Sequence, residues 1–370
     1  MNYQTVLNEL FAGTGVTFNG EQLCDPQVHD ERTYARMVKQ ANLGAGESYM
    51  DGWWDCKQLD EFLYRVLRAG IREQVGRSWQ MILRQLPAVL FNLQSRPRAF
   101  QIGERHYDTG NDLFEAMLDK RMVYSCAYWD GVQTLDEAQE AKLELIGRKL
   151  CLKPGMKVLD IGCGWGSLAQ HAAEKYEVSV TGISVSKEQV ALAHERCKGL
   201  PVSFELQDYR AVKGTFDRIV SVGIFEHVGR RNYRAFMSKV HSMLAQDGLF
   251  LLHTIGMNQQ GPGGDAWVQK YIFPNSELPS ELRIDHAIEG LFVKEHWQNI
   301  GVHYDKTLMA WHANFLKNWP RLSARYDGRF KRMWEYYLLS FAAMFRARHA
   351  QVWQIVYSKQ GIPGGYRMVQ

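Results

Sequence analysis

The residues best placed for chemistry sit in Val158-Leu159-Asp160-Ile161-Gly162-Cys163-Gly164-Trp165-Gly166-Ser167, an apolar run carrying an acid that leads into three alternate glycines. Glycines at such a strand-to-helix turn let the backbone come close to a ligand. A dinucleotide fingerprint requires GxGxxG, whereas this chain reads GxGxG and has Ser167 where the last glycine would fall, with the Asp160 carboxylate just before the loop. That pattern favours S-adenosylmethionine over NAD, because a sulfonium cofactor presents a cationic amino-acid end where NAD presents a pyrophosphate. The next apolar run ends at Ser184, where an acidic residue commonly grips ribose hydroxyls. Gln189, one turn into the following helix, is the substitute donor and acceptor. After a third run, Asp208 is placed for the adenine amino group and Tyr209 for stacking.

These residues need a scaffold of alternating strands and helices. Val158 to Asp160, Val178 to Ile183, Val202 to Gln207, Phe216 to Val222 and Gly248 to Thr254 read as strands; Leu168 to Lys175, Lys187 to Lys198 and Tyr233 to Leu244 read as helices. Such alternation predicts an α/β fold, a parallel sheet with helices on both faces and ligands at the carboxyl ends of its strands. Upstream, Leu59, Phe62, Leu63, Val66, Leu67 and Ile71 fall at helical spacing, edged by Arg65, Arg68 and Arg72, and Pro87 interrupts an apolar stretch from Trp79 to Leu93. The chain changes character at Ser95-Arg96-Pro97-Arg98, which places a domain boundary near residue 95.

The 370 residues are 46% hydrophobic and 23% charged, which excludes collagen-like, low-complexity and wholly disordered chains. A net charge of +4 falls short of the footprint of a dedicated nucleic-acid binder, so no nucleic-acid partner is expected. The balance is uneven: Arg65 to Arg105 holds eight arginines against Glu73 and Glu104. An amphipathic helix with a basic edge suits an anionic lipid surface. The six cysteines show no CxxC and no zinc spacing, so neither a metal nor a disulfide framework is expected. No signal peptide and no spanning segment is read, which points to a cytoplasmic protein whose membrane contact is peripheral.

The chain resembles the cyclopropane-fatty-acyl-phospholipid synthases and the related mycolic acid cyclopropane synthases. The resemblance is carried by GESYMDGWW (Gly46 to Trp54), LFNLQS (Leu90 to Ser95), HYDTGNDLF (His106 to Phe114), YSCAYW (Tyr124 to Trp129), LDIGCGWGSLA (Leu159 to Ala169) and SVGIFEHVG (Ser221 to Gly229). It continues through LLHTIG (Leu251 to Gly256), KYIFPN (Lys270 to Asn275), YDKTLMAW (Tyr304 to Trp311) and MFRAR (Met344 to Arg348).

The resemblance implies a Rossmann-like class I S-adenosylmethionine-dependent methyltransferase domain over 96–370, preceded by a smaller, mostly helical domain over 1–95 that docks on lipid. It implies transfer of the methyl carbon to a cis double bond of a membrane phospholipid acyl chain, closing a cyclopropane ring through a carbocation deprotonated by bound bicarbonate. Methylation to a methyl-branched or methylene-bearing chain is the rival product. The positions matching the bicarbonate set are Cys126, Glu226, His253, Ile255 through its backbone amide, and Tyr304. Cofactor positions carried over by motif are Tyr124, Ser125, Gly162, Cys163, Gly164, Ser184, Val185, Ser186, Lys187, Glu188, Gln189, Tyr209 and Arg210. Family members of this type also imply a homodimer on the inner face of the membrane. One departure is informative: no cysteine follows Cys197, so a late-helix thiol nucleophile is excluded.

Overall fold

The computed structural model describes residues 2–70, 110–259 and 264–368. In chain order these form α1 (Tyr3–Phe11), β1 (Gln27–Val28), α2 (Arg32–Met50), β2 (Trp54–Asp55), α3 (Leu59–Arg68), α4 (Asn111–Met117), α5 (Leu135–Lys149) and β3 (Lys157–Ile161). There follow α6 (Ser167–Tyr176), β4 (Ser179–Ser184), α7 (Lys187–Arg196), β5 (Val202–Leu206), β6 (Phe216–Val222), α8 (Phe225–Val228), α9 (Tyr233–Met243) and β7 (Leu244–Met257). The chain closes with α10 (Ala266–Tyr271), α11 (Glu281–Ile288), β8 (Val293–Asn299), α12 (Val302–Leu322), α13 (Gly328–Arg346) and β9 (Ala350–Ser358). The five strands and three helices expected around the glycine loop are all present.

The described residues divide into two compact units. The second, from Asn92–Gln260, Asn275–His303 and Gln351–Gln370, holds a seven-stranded sheet of order β5-β4-β3-β6-β7-β9-β8. Strands β5 to β7 pair in parallel, and β8 and β9 pair antiparallel to each other. Side chains alternate between faces along each strand, so Leu159, Ile161, Phe250, Leu252 and Ile355 enter one core cluster. Val158, Leu249, Leu251 and Val356 enter the other, together with Ile146 and Leu150 from α5 and its end. Helix α5 opens with a capping box between Thr134 and Glu137 and covers this second face. The antiparallel pair β8 and β9 lies outside the sequence reading, which followed the parallel alternation and stopped at β7.

The first unit combines the described part of Met1–Phe91 with Gly261–Pro274 and Tyr304–Ala350. Helices α10 and α13, and α12 from Tyr304 onward, thus fall in one unit with α1 to α3. Arg346 of α13 pairs with Asp60 of α3 (2.8 Å) and with Asp305 of α12 (2.9 Å), and Arg332 donates to the Trp54 carbonyl (2.7 Å). The core is aromatic: Trp54, Trp267, Trp311, Tyr336 and Tyr337 are fully buried. Tyr336 also donates to Asn42 Oδ1 (2.8 Å), so its ring and hydroxyl both serve packing. The arginines from Arg72 to Arg105, the Trp79 to Leu93 stretch, the boundary at Ser95 to Arg98 and LFNLQS lie outside the described residues.

The GESYMDGWW segment has a structural use here. Glu47 accepts from Arg36 (2.6 Å), Lys270 (2.6 Å) and Tyr271 (2.8 Å), and these partners outweigh burial to hold its carboxyl down at about 2. Gly46 lets α2 meet Trp267, since a Cβ there would stand 2.4 Å from the indole. Gly46→Ala is therefore expected to cost about 1–3 kcal/mol of overpacking. Gly13→Ala, with nothing within 4 Å of the added carbon, should be nearly neutral. Chemical denaturation of the two variants checks the contrast, and equal stabilities would remove this role from Gly46.

Candidate active site

The glycine loop follows β3 and is pinned to β4: the amides of Gly162 and Cys163 both donate to the Ile183 carbonyl, at 2.9 and 3.0 Å. Gly162 has φ +86°, and a Cβ would meet Ile224 at 2.1 Å, so glycine is required for both conformation and space. Trp165 donates to Asn111 Oδ1 (3.0 Å), and the Phe114 ring packs 5.0 Å from both Tyr124 and Trp165. The described parts of HYDTGNDLF and YSCAYW are thereby brought to the loop.

Together these elements line one pocket at the carboxyl ends of the parallel strands. Tyr124, Ser125, Asp160, Gly162, Cys163, Gly164, Ser184, Val185, Gln189, Asp208, Tyr209 and Arg210 all reach it. Ser186, Lys187 and Glu188 do not line it: Ser186 caps α7 by accepting from the Gln189 amide (3.4 Å), and Lys187 and Glu188 are exposed on the first turn. Ser184 donates its hydroxyl to Gln189 Oε1 (2.8 Å), so the Gln189 amide nitrogen is the end turned away from Ser184. Asp208 is engaged by Arg210, whose Nη1 lies 2.9 Å from Oδ2, and that guanidinium sits 4.8 Å from the Tyr209 ring. Tyr209 is also packed edge-on to Phe236, so it is as much a core residue as a stacking surface.

Two lysines missed in the sequence reading govern the electrostatics. Lys142 is buried on the inner side of α5 and donates to Ser125 Oγ (2.9 Å). Burial pushes its amine down to about 8, against the nearby charges of Asp119, Cys126 and Asp160. Burial pushes the Asp160 carboxyl up to about 7, and Lys142 partly offsets that. Lys149, seven residues along the same helix, is buried as well. Lysines seven apart on an otherwise apolar helical face were the available signal.

The expected anion set divides between the units. Cys126, Glu226, His253 and Ile255 belong to the second unit and are partly tied together there. Glu226 is buried on α8, and its Oε1 accepts from the Ile255 amide (2.6 Å), the donor that the resemblance reserves for the anion. Its Oε2 is buried with no hydrogen-bond partner among the described residues. Burial lifts this carboxyl to about 7, although the Ile255 amide lowers it. His253, buried on β7, has its pKa held well below the ordinary value by burial and by Lys142 and Lys149. Cys126 is buried, with its thiol 3.3 Å from the Ala127 carbonyl. Tyr304 lies on α12 in the first unit, its ring packed on Phe345 (4.6 Å) and Trp311 (5.8 Å).

Comparison with known proteins places this geometry. The profile described as "Mycolic acid cyclopropane synthetase" matches residues 94–355. The chain is 50% identical over 369 residues to the "Cyclopropane-fatty-acyl-phospholipid synthase" of Escherichia coli K12, covering 100% of this chain and 96% of that protein. It is 32% identical over 350 residues to "Sphingolipid C9-methyltransferase A" of Emericella nidulans, covering 90% of this chain and 67% of that one. A mycolic acid cyclopropane synthase solved with SAH and CTAB superposes with a TM-score of 0.67 at 34% identity, over 70% of this chain and 98% of its own. The expected class I methyltransferase fold is thereby shown.

The donor set of the pocket fits S-adenosylmethionine: Asp160 would hold its ammonium group, and Gln189 and Asp208 would hold the nucleoside. A carboxylate holds that ammonium better than a neutral acid does, so affinity should rise with pH between about 6 and 7.5 as Asp160 ionises. Lys142→Met removes the cation that favours ionised Asp160, and the midpoint should move to higher pH. Isothermal titration calorimetry across this range checks both statements, and an unmoved midpoint would sink the coupling.

Proposed function

The chain belongs to the mycolic acid cyclopropane synthetase family, and we propose that it converts a cis double bond in a phospholipid acyl chain to a cyclopropane ring with bicarbonate as base. When bound, S-adenosylmethionine supplies an electrophilic methyl carbon and bicarbonate supplies a proton acceptor. An isolated alkene is a poor nucleophile, so it must be held in line with that carbon away from water. The alkene carbon that gains the methyl leaves a cation on its neighbour, and ring closure releases one proton from the new methyl group.

The observation that carries this reading is the state of Glu226: buried, lifted to about 7, with one oxygen on the Ile255 amide and the other without a hydrogen-bond partner among the described residues. A carboxyl poised near neutrality suits the exchange of a proton with a second acid such as bicarbonate. Cys126 and His253 are the further donors in this reading, and the Ile255 amide joins them only when Glu226 Oε1 gives it up. Tyr304 completes the set on the resemblance alone.

The lipid source in this reading is the inner face of a membrane, and the protein acts as a cytoplasmic homodimer bound there peripherally. Among the described residues no helix is long and apolar enough to cross a membrane. Arg65, expected to face lipid, is instead engaged by Glu61 (2.9 Å), the Gly15 carbonyl (3.2 Å) and Gln22 (3.2 Å). Membrane attraction by this helix therefore falls to exposed Arg68 and the basic stretch after it.

Incubation of the protein with labelled S-adenosylmethionine, bicarbonate and unsaturated phospholipid vesicles, followed by proton NMR of the acyl chains, tests the product. Ring protons are expected; a methyl branch or a methylene group would replace cyclopropanation with the rival reaction. Glu226→Gln should lower kcat by about 100-fold or more while leaving cofactor affinity within about twofold, the range expected for loss of a positioned acid or base. Turnover at the unmodified rate in that variant would remove Glu226 from the chemistry.

A further inference from the structure

Lys149 ends α5 with its amine buried, and among the described residues it forms no ion pair. Its Nζ donates instead to Gln298 Oε1 (2.5 Å) and Gln354 Oε1 (2.7 Å). Those glutamines are register partners on β8 and β9, and β9 lies beside β7, which carries His253. A cation, two amides and an imidazole therefore form a row across the edge of the sheet. Burial alone pushes the Lys149 amine down to about 7. Protonated or not, a lysine nitrogen keeps at least two N–H groups, so both amide oxygens face it in either state.

This fixes the rest of the chain of hydrogen bonds. With its oxygen on Lys149, Gln354 turns its Nε2 to His253 Nδ1, 3.2 Å away. An amide nitrogen only donates, so His253 Nδ1 accepts. Burial and the two lysines keep the ring neutral, and a neutral imidazole that accepts at Nδ1 carries its one proton on Nε2.

We propose that Lys149 and Gln354 are positioning residues that lock His253 in the Nε2–H tautomer, making it a hydrogen-bond donor to an anion and not a proton acceptor. The proposal rests on the reading that bicarbonate binds beside His253. It divides the work between two groups: His253 holds the anion by donating, and Glu226 is the protein group left to exchange a proton with it.

The test uses the full chain labelled with 15N-histidine, with the His253 signals identified by their loss in His253→Gln. Two-bond 1H–15N correlations are expected to show His253 protonated at Nε2 and unprotonated at Nδ1. Gln354→Glu keeps an acceptor for Lys149 but cannot donate to Nδ1, so the proton should move to Nδ1. The bicarbonate concentration for half-maximal turnover should then rise about tenfold, with S-adenosylmethionine affinity unchanged within about twofold. Lys149→Met is the second variant: it frees the Gln354 amide to rotate and should give both tautomers. Protonated Nδ1 in the unsubstituted protein, or the same ring pattern in both variants, overturns the relay. A tautomer that moves without changing the bicarbonate requirement overturns the anion reading at His253, and with it the purpose assigned to the tautomer.

Discussion

Everything at the candidate site depends on charged groups buried under α5 and beside it. That helix lays two lysines against the sheet seven residues apart, a separation of about 10.5 Å along an α-helix. The spacing takes one lysine to the neighbourhood of Asp160 on β3 and the other to Gln354 on β9, three strands away. Water would screen such groups and return each to its ordinary behaviour. Burial pushes Lys142 down and Asp160 and Glu226 up, so groups that are ordinarily fixed in charge become able to change it near neutral pH.

The sheet converts that buried interior into directed chemistry. Parallel strands β3, β4 and β6 end at the glycine loop, Ser184 and the α8 segment, which gather the cofactor side. The antiparallel pair β8 and β9 supplies the opposite edge, where the polar side chains of Gln298 and Gln354 stand in register. His253 lies between these two regions, paired with Val222 on one side and bonded to Gln354 on the other. Its surroundings thus reach both the loop of glycines and the lysine row.

The cofactor half was the more legible in sequence. Five strands and the helices between them announced themselves through runs of valine, isoleucine and leucine, and the GxGxG loop through its alternate glycines, of which Gly162 has no room for a side chain. Ser184 and Gln189 were visible as a departure from an acidic strand end, and the structure joins them by a hydrogen bond. Lys142 and Lys149 were overlooked because lysines in a helix rich in glutamate read as a solvated face. Gln354 was hidden inside AQVWQIVYS, where a buried amide leaves no periodic mark. The engagement of the Ile255 amide on β7 by Glu226 on α8 depends on tertiary proximity, which spacing along the chain does not encode.

The discontinuous first unit has a consequence for how the chain is made. Its aromatic core takes Trp54 from an early segment, Trp267 from the middle and Trp311, Tyr336 and Tyr337 from a late one. During synthesis that core stays incomplete until residue 350 has left the ribosome, although its first helices emerge at the start. The sheet of the second unit likewise waits for β9, its penultimate strand in space and its last in time. Neither unit is a module that can be completed first and handed on, so the nascent protein must carry unpaired aromatic surface for most of its translation. A fragment ending near residue 95 would keep Trp54 but lack Trp267, Trp311, Tyr336 and Tyr337, the other fully buried rings of that core.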